Sequence, residues 1–394
     1  MTNYTIAYMG TKGFPFGYAQ IERQKLIAKG LIQNGAELII VSRYGIHNSF
    51  PIQYEQGVNI YEGIPFVYSS GQPIRPGGML KRTSLKIRGL LNEIRFVLQW
   101  KGDKRIMLVS TNYFRNILFY RVLSSLSGST LVVDNVEYWS SHKRKVSLLT
   151  KMDNFLYDRF SHRLADKVIC ISDFLVKEVN RADPSKLWIK IPCIVDYSVF
   201  DALPVKREKR ILYCGSLNYL EVIYFVIDAF EQSGIDDHTL TLVANGSKEN
   251  SLLLQERIQK SPVSDMIKVY QNMKYPELVE LYKSSLALVI PLRNSAQDVS
   301  RFPHKIGEYC ASSAAIISTN IGEIKNYFTD GNNALIAGDY NTAQVAAKMK
   351  YAAMYPDKAV EIGKHSYLTG KKYFEMNALG KKLMEFFDLK GSTE

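Results

Sequence analysis

The chain has 394 residues, 46% hydrophobic and 22% charged, with 25 Gly and 13 Pro. That excludes a single small module, a disordered linker or a collagen-like repeat, and at this length two cores of about 200 residues each are expected. Lys and Arg outnumber Asp and Glu by 50 to 38, a net charge of +12, which favours anionic partners such as nucleotide phosphates, lipid headgroups or nucleic acid without choosing among them.

Tyr4-Thr5-Ile6-Ala7-Tyr8-Met9 is a buried-strand run that stops at Gly10 and leads through a Gly/Pro loop into an amphipathic stretch from Ala19 to Gln33. Further strands are predicted at Glu37 to Ser42, Arg105 to Ser110, Thr130 to Asp134 and Lys167 to Ser172, separated by helical stretches, the pattern of a parallel sheet with crossovers. The pattern restarts at Arg210, with a strand to Gly215 and a helix from about Leu220 to Gln232. Strands follow at Thr239 to Ala244, Ile267 to Tyr270, Leu286 to Pro291 and Ala315 to Ser318. The short charged segment 201–209, which contains Pro204, suits a linker. The predicted fold is therefore α/β, two Rossmann-like domains facing across a cleft: 1–200 on the N-terminal side, 201–209 joining, and 210–394 on the C-terminal side. The last helix is expected to pack back on the first domain.

Cys170, Cys193, Cys214 and Cys310 are widely separated and form no C-x-x-C pair, so reduced, buried thiols are expected. The opening residues have no basic-then-apolar leader, and no run of about 18 apolar residues occurs. A cytoplasmic protein is expected, peripheral on the inner face of a membrane. Residues 75–105 carry nine basic and two acidic side chains interleaved with apolar ones. Two readings fit: a helix lying on an anionic membrane, or a core helix with a solvated basic face. Nucleic acid rests on charge alone, with no RNP-like, zinc-finger or helix-turn-helix signature, and is set aside.

Three segments are candidates for chemistry. The Gly10–Ala19 loop joins a strand to a helix, where glycine lets backbone approach an anion, although it matches neither G-x-G-x-x-G nor a P-loop. Asp134-Asn135-Val136-Glu137 follows a strand, and Glu137 is the candidate to orient or deprotonate an acceptor hydroxyl, a capping role being the other reading. His142, beside Lys143-Arg144-Lys145, reads as a surface residue. The most informative stretch is 291–311: Arg293, Arg301 and Lys305 bring positive charge to a strand end and helix start, and Glu308 follows one turn later. Cations there can hold a diphosphate and the carboxylate a ribose diol. A solvated helix start with a Lys305–Glu308 ion pair gives the same pattern.

The segment RFPHKIGEYCAS at 301–312, followed by Ala315-Ile316-Ile317-Ser318-Thr319-Asn320-Ile321-Gly322-Glu323, resembles the donor region of family-4 glycosyltransferases of the GT-B fold. The likeness is to a bacterial polysaccharide subgroup with an R-F-P-x-K-x-G-E-Y signature. FPFGYAQIERQKLIAKGLIQNG, Ile191-Pro192-Cys193-Ile194-Val195-Asp196, YCGSLN at 213–218 and Asp228-Ala229-Phe230 extend it over most of the chain. The resemblance implies a retaining transferase moving a sugar from a nucleotide-sugar to a glycan or lipid-linked glycan in surface polysaccharide assembly. It implies Glu308 on the donor ribose, Gly215 and Ser216 beside the diphosphate, Gly17 approaching it from the other domain, and Arg301 and Lys305 as catalytic cations. No metal or other cofactor is expected, since fixed cations can stabilise the leaving diphosphate.

Two positions depart from the family pattern. Ser300 stands where the first glutamate of E-x7-E would touch the donor, with Asp298 out of register. Glu221 stands about where a lysine after the G-S-L loop would neutralise the diphosphate. Either Arg293, Arg301 and Lys305 meet the phosphates instead, or the chain is a non-catalytic homologue that binds glycan or supports a partner.

Overall fold

The computed structural model describes residues 4–17, 19–44, 54–141, 147–204 and 206–389; His142 and its basic neighbours lie outside them. Met1–Ile194 with Met376–Glu394 forms one unit and Val195–Glu375 the other.

The first unit is built on eight strands: β1 (Tyr4–Met9), β2 (Glu37–Ser42), β3 (Asn59–Tyr61), β4 (Ile64–Tyr68), β5 (Lys104–Val109), β6 (Thr130–Asn135), β7 (Lys167–Cys170) and β8 (Leu187–Lys190). Their order is β3-β4-β2-β1-β5-β6-β7-β8, and among the described residues only the β3–β4 pair is antiparallel. Apolar runs such as ELIIVS and TLVVDN suit strands buried on both faces under crossover helices. The β3–β4 hairpin turns at Glu62 and Gly63, both at positive φ, as a two-residue turn matching strand twist requires. Helices α1 (Ala19–Gln33), α2 (Met79–Gln99), α3 (Phe114–Ser127), α4 (Leu148–Leu164) and α5 (Asp173–Ala182) cross between strands. β1 leads to β2 on one side and β4 to β5 on the other, so the order reverses between β1 and β5.

The second unit has six parallel strands, β9 (Glu208–Ser216), β10 (Thr239–Asn245), β11 (Ile267–Tyr270), β12 (Ser285–Ile290), β13 (Ala315–Thr319) and β14 (Leu335–Ala337), ordered β11-β10-β9-β12-β13-β14. Here the order reverses between β9 and β12. In open α/β sheets ligands bind outside the carboxyl ends of strands at such a reversal. The helices are α6 (Tyr197–Asp201), α7 (Leu220–Ser233), α8 (Lys248–Gln259), α9 (Tyr275–Ser284), α10 (Ala296–Ser300), α11 (Lys305–Ala311), α12 (Ile324–Tyr327), α13 (Thr342–Met354) and α14 (Pro356–Phe374). Segment 201–209 lies inside this unit rather than between units. Its charges are used locally: Arg207 donates to the Lys283, Ser285, Ser312 and Ser313 carbonyls, and Lys283 to those of Phe200 and Leu203.

A last helix, α15 (Met376–Asp388), joins the first unit. Met376, Leu379, Leu383, Phe386 and Phe387 enter the core of that unit. Gly30 on α1 and Gly380 on α15 meet backbone to backbone: a Cβ on Gly30 would lie 2.6 Å from the Met376 carbonyl oxygen. Lys167 Nζ donates to the carbonyls of Phe386, Phe387 and Leu389 at 3.0, 2.8 and 2.6 Å, securing the end of the helix.

Candidate active site

In the second unit the residues singled out from sequence gather at the reversal between β9 and β12. Gly215 and Ser216 end β9; a side chain at Gly215 would collide with the Tyr213 phenol. Ser216 caps the short turn Leu217–Tyr219 by accepting the Asn218 N–H. After β12 the chain does not stay a loop throughout. Ser295 accepts the Asp298 N–H and starts the five-residue helix α10.

Asp298, 2% exposed, organises this corner. Its carboxylate accepts Arg293 Nε at 2.7 Å, the Arg293 backbone N–H at 3.0 Å, and Arg301 Nη2 at 2.7 Å. Burial acts to raise this carboxyl, but the hydrogen bonds from Arg293 and the charges of Arg301 and Arg293 outweigh it and hold it below the usual carboxylate range. Arg293 also donates to Glu221 at 2.7 Å. Both guanidiniums lie against the Tyr219 ring, at 5.8 Å for Arg293 and 5.7 Å for Arg301. Glu221 is therefore not an isolated charge of the wrong sign: Arg293, 72 residues away in sequence, neutralises it. By the same contacts Arg293 and Arg301 are already engaged with carboxylates.

Ser300 is buried, and its hydroxyl donates to the Gln297 carbonyl at 3.2 Å. Asp298, out of register with the E-x7-E pattern, already accepts from both arginines. Gly322, at φ 60, brings the loop after β13 against this segment, where a Cβ would lie 3.3 Å from the Asp298 carbonyl oxygen.

Helix α11 supplies the other half of the site. Glu308 is buried at 6% exposure, with His304 Nε2 3.9 Å from its Oε1. The Lys305–Glu308 ion pair allowed by spacing does not form, and among the described residues Lys305 has no hydrogen-bond or ion-pair partner. The Cys214 thiol on β9, raised by burial, feels the opposing charges of Lys305 and Glu308, which puts both beside the end of β9. Burial likewise raises the Tyr213 phenol, which feels Arg293 and Arg301. Gly215, Ser216, Arg293, Ser300, Arg301, Lys305 and Glu308 thus share one strand-end neighbourhood: an uncommitted ammonium, two engaged guanidiniums and a buried carboxylate. An open pocket of about 590 Å³ beyond β13 and β14, lined by Asn320, Phe328, Asp330, Gln344 and Lys348 among others, contains none of them.

In the first unit, Gly17 lies in the loop before α1, where a side chain would collide with Ile21. Packing alone accounts for glycine there. Glu137 is half-buried in the turn after β6, just before the short helical turn Trp139–Ser141. Sequence reasoning missed the ion pair beneath that turn. Arg23 and Asp134, 5% and 1% exposed, pair at 3.0 Å, and Arg23 also donates to the Ile191 and Pro192 carbonyls at 2.9 and 2.6 Å. An arginine amid the apolar positions of α1 was the available signal.

Two parallel-stranded units, each with its reversal point, define the class: this is the GT-B fold. The fold matches sucrose-phosphate synthase from Thermosynechococcus elongatus with TM-score 0.75 and 13% identity, covering 98% of each chain. It matches a glycosyltransferase from Rickettsia africae with TM-score 0.70 and 15% identity, again over 98% of each. Anabaena HepE in complex with UDP-glucose matches with TM-score 0.68 and 13% identity, over 97% of this chain and 98% of that one. At such identities the likeness is one of fold. No curated protein matches the sequence. Residues 198–368 match the family described as Glycosyl transferases group 1. With that domain on this fold, the chain is a glycosyltransferase.

Proposed function

We propose that the protein is a retaining glycosyltransferase of the R-F-P-x-K-x-G-E-Y subgroup, moving a sugar from a nucleoside-diphosphate donor to a glycan or lipid-linked glycan in bacterial surface polysaccharide assembly. The observation that supports this reading is the β9–β12 reversal itself, where Gly215 and Ser216 end β9, Arg293 after β12 reaches Glu221 after β9, and α11 carries the buried Glu308. Glu308 holds the ribose diol, Gly215 and Ser216 let the diphosphate approach backbone, and Lys305 with Arg301 offsets charge as the sugar–phosphate bond breaks. Arg293 and Ser300 line the donor side. Glu137 accepts the acceptor hydroxyl proton as the new glycosidic bond forms. Cationic side chains, rather than a metal, serve the leaving group. HepE with UDP-glucose supports UDP-sugars as the first donors to try.

The acceptor side of the reading rests on α2. Its buried positions Leu85, Gly89, Glu93 and Val97 form one stripe, while Leu80, Ile87, Leu91 and Leu98 project from the opposite face, 52–84% exposed. Lys81, Lys86, Arg88 and Arg95 are exposed alongside. An apolar outer stripe flanked by cations suits the surface of an anionic bilayer, and no helix among the described residues is long and apolar enough to cross one. A peripheral cytoplasmic enzyme meeting a lipid-linked acceptor fits these features.

Ser300 and the engagement of both arginines favour the second reading, a non-catalytic homologue. Turnover separates the two. Incubated with UDP-, GDP- and ADP-sugars, the enzyme should release a nucleoside diphosphate from at least one; binding without release in any acceptor mixture would leave the non-catalytic reading.

A further inference from the structure

At the reversal point of the first unit, the loops after β1, β2 and β5 carry Lys12, Tyr44 and Tyr113. Lys12 Nζ lies 5.6 Å from the Tyr44 ring centre and 5.4 Å from that of Tyr113, and the Arg115 guanidinium lies 4.5 Å from the same Tyr113 ring. Two cations thus share one aromatic wall. Arg43 and Lys86 are near enough for their charges, with that of Arg115, to add to burial in lowering the Lys12 ammonium. Arg43 has its own counter-ion in buried Glu93, through two contacts of 2.9 Å. Lys12, Lys86 and Arg115 have no carboxylate partner among the described residues. Holding like charges together around a partly desolvated ammonium is costly unless an anion completes the site. The strand-end position is where an open α/β sheet takes its ligand.

We infer that Lys12 and Arg115 form a phosphate subsite, and that the acceptor is a phosphorylated one whose phosphate docks there while its sugar lies along Tyr44 and Tyr113. The anion is a phosphate ester, carried either on a soluble sugar or on a polyprenyl lipid. This rests on the reading of the first unit as the acceptor side.

The test uses the full chain and a Lys12→Gln/Arg115→Gln double variant. In the soluble arm, glucose 6-phosphate is compared with glucose by calorimetry. In the lipid arm, phosphatidylcholine vesicles with and without polyprenyl phosphate are compared by flotation. One arm should show phosphate-dependent binding that falls roughly a hundredfold or more in the double variant, the loss expected for two charge-assisted hydrogen bonds. Lys86→Gln should fall less, and Lys12→Arg should retain binding. The arm that responds names the source of the phosphate. The inference is overturned if neither phosphate probe binds better than its phosphate-free control, or if the double variant binds as well as wild type. It is also overturned if the double variant weakens UDP instead, since the cluster would then serve the donor. Loss of UDP binding in wild type, with phosphate binding intact, would sink the nucleotide-sugar reading and leave the subsite standing.

Discussion

Glu221 shows what a single residue's charge means once its partner is known. A carboxylate near a diphosphate is unfavourable, but this one is 2.7 Å from Arg293, whose other face is held by Asp298. Replacing it removes one of two counter-charges on Arg293 and leaves that guanidinium more available to phosphate. Glu221→Gln should therefore bind UDP a fewfold more tightly, with a steeper salt dependence; calorimetry at two ionic strengths checks this, and an unchanged affinity would mean Arg293 does not face the phosphates. Nothing in the sequence reveals the partner, because the two residues meet only when the ends of β9 and β12 are brought side by side. The same holds for Arg23 and Asp134.

His162 carries a second residue-scale consequence. It is 2% exposed, its Nε2 has no hydrogen-bond partner among the described residues, and burial, aided by the charges of Arg163 and Lys186, pushes its pKa from 6.5 down to about 4. Between those values the unfolded chain binds a proton that the folded chain refuses. The stability contribution is whole above pH 6.5 and is lost as pH falls towards about 4, by about 3 kcal/mol in all. His162→Phe should flatten the part of the melting-temperature profile between pH 6.5 and 5, above the carboxylate range.

At the scale of elements, legibility followed length and burial. β1, β2 and α1 were read with their observed bounds, because continuous apolar runs and a 3.6-residue period are strong signals over six to fifteen residues. The β3–β4 hairpin was missed because three- and five-residue strands carry too few positions to show a period, and α10 because it is five residues inside a polar loop. For α2 the sequence left membrane and core readings both open, and the structure supplies features of each. Its buried stripe includes Glu93, fully buried and held by Arg43, Tyr120 and Ser69. Its opposite stripe is apolar and exposed. Replacing Ile87, Leu91 and Leu98 with Ser should therefore reduce flotation with anionic vesicles severalfold while leaving the melting temperature nearly unchanged. Equal flotation would remove this helix as the contact; a large melting loss would show the stripe packs within the protein.

For the whole molecule, two sheets, their parallel strands and the restart near β9 were all legible, since each βα unit repeats the same apolar-strand, polar-loop, amphipathic-helix pattern. The limits of the units were less so. The charged, Pro-containing segment 201–209 reads as a linker, yet Arg207 and Lys283 bind its neighbourhood into the second unit, and the chain passes from one unit to the other at Ile194 and again at Glu375. Composition reports how polar a segment is, not whether its cations find carbonyls. The candidate-site residues were legible as a group because Arg301, Lys305 and Glu308 fall on one short stretch. The role of Asp298 was not, because a buried carboxylate reads like any other Asp in a polar loop.

The proposed binding of a nucleoside diphosphate at the β9–β12 reversal of the second unit, with its ribose on Glu308, is open to a direct experiment. Calorimetric titration of wild type and Glu308→Ala with UDP, GDP and ADP tests it most directly. At least one nucleotide should bind wild type, and the variant should bind it roughly tenfold or more weakly, with an unchanged melting temperature, as loss of charge-assisted hydrogen bonds to a diol requires. Binding of the same nucleotide with equal affinity by both proteins, or by neither, would contradict it.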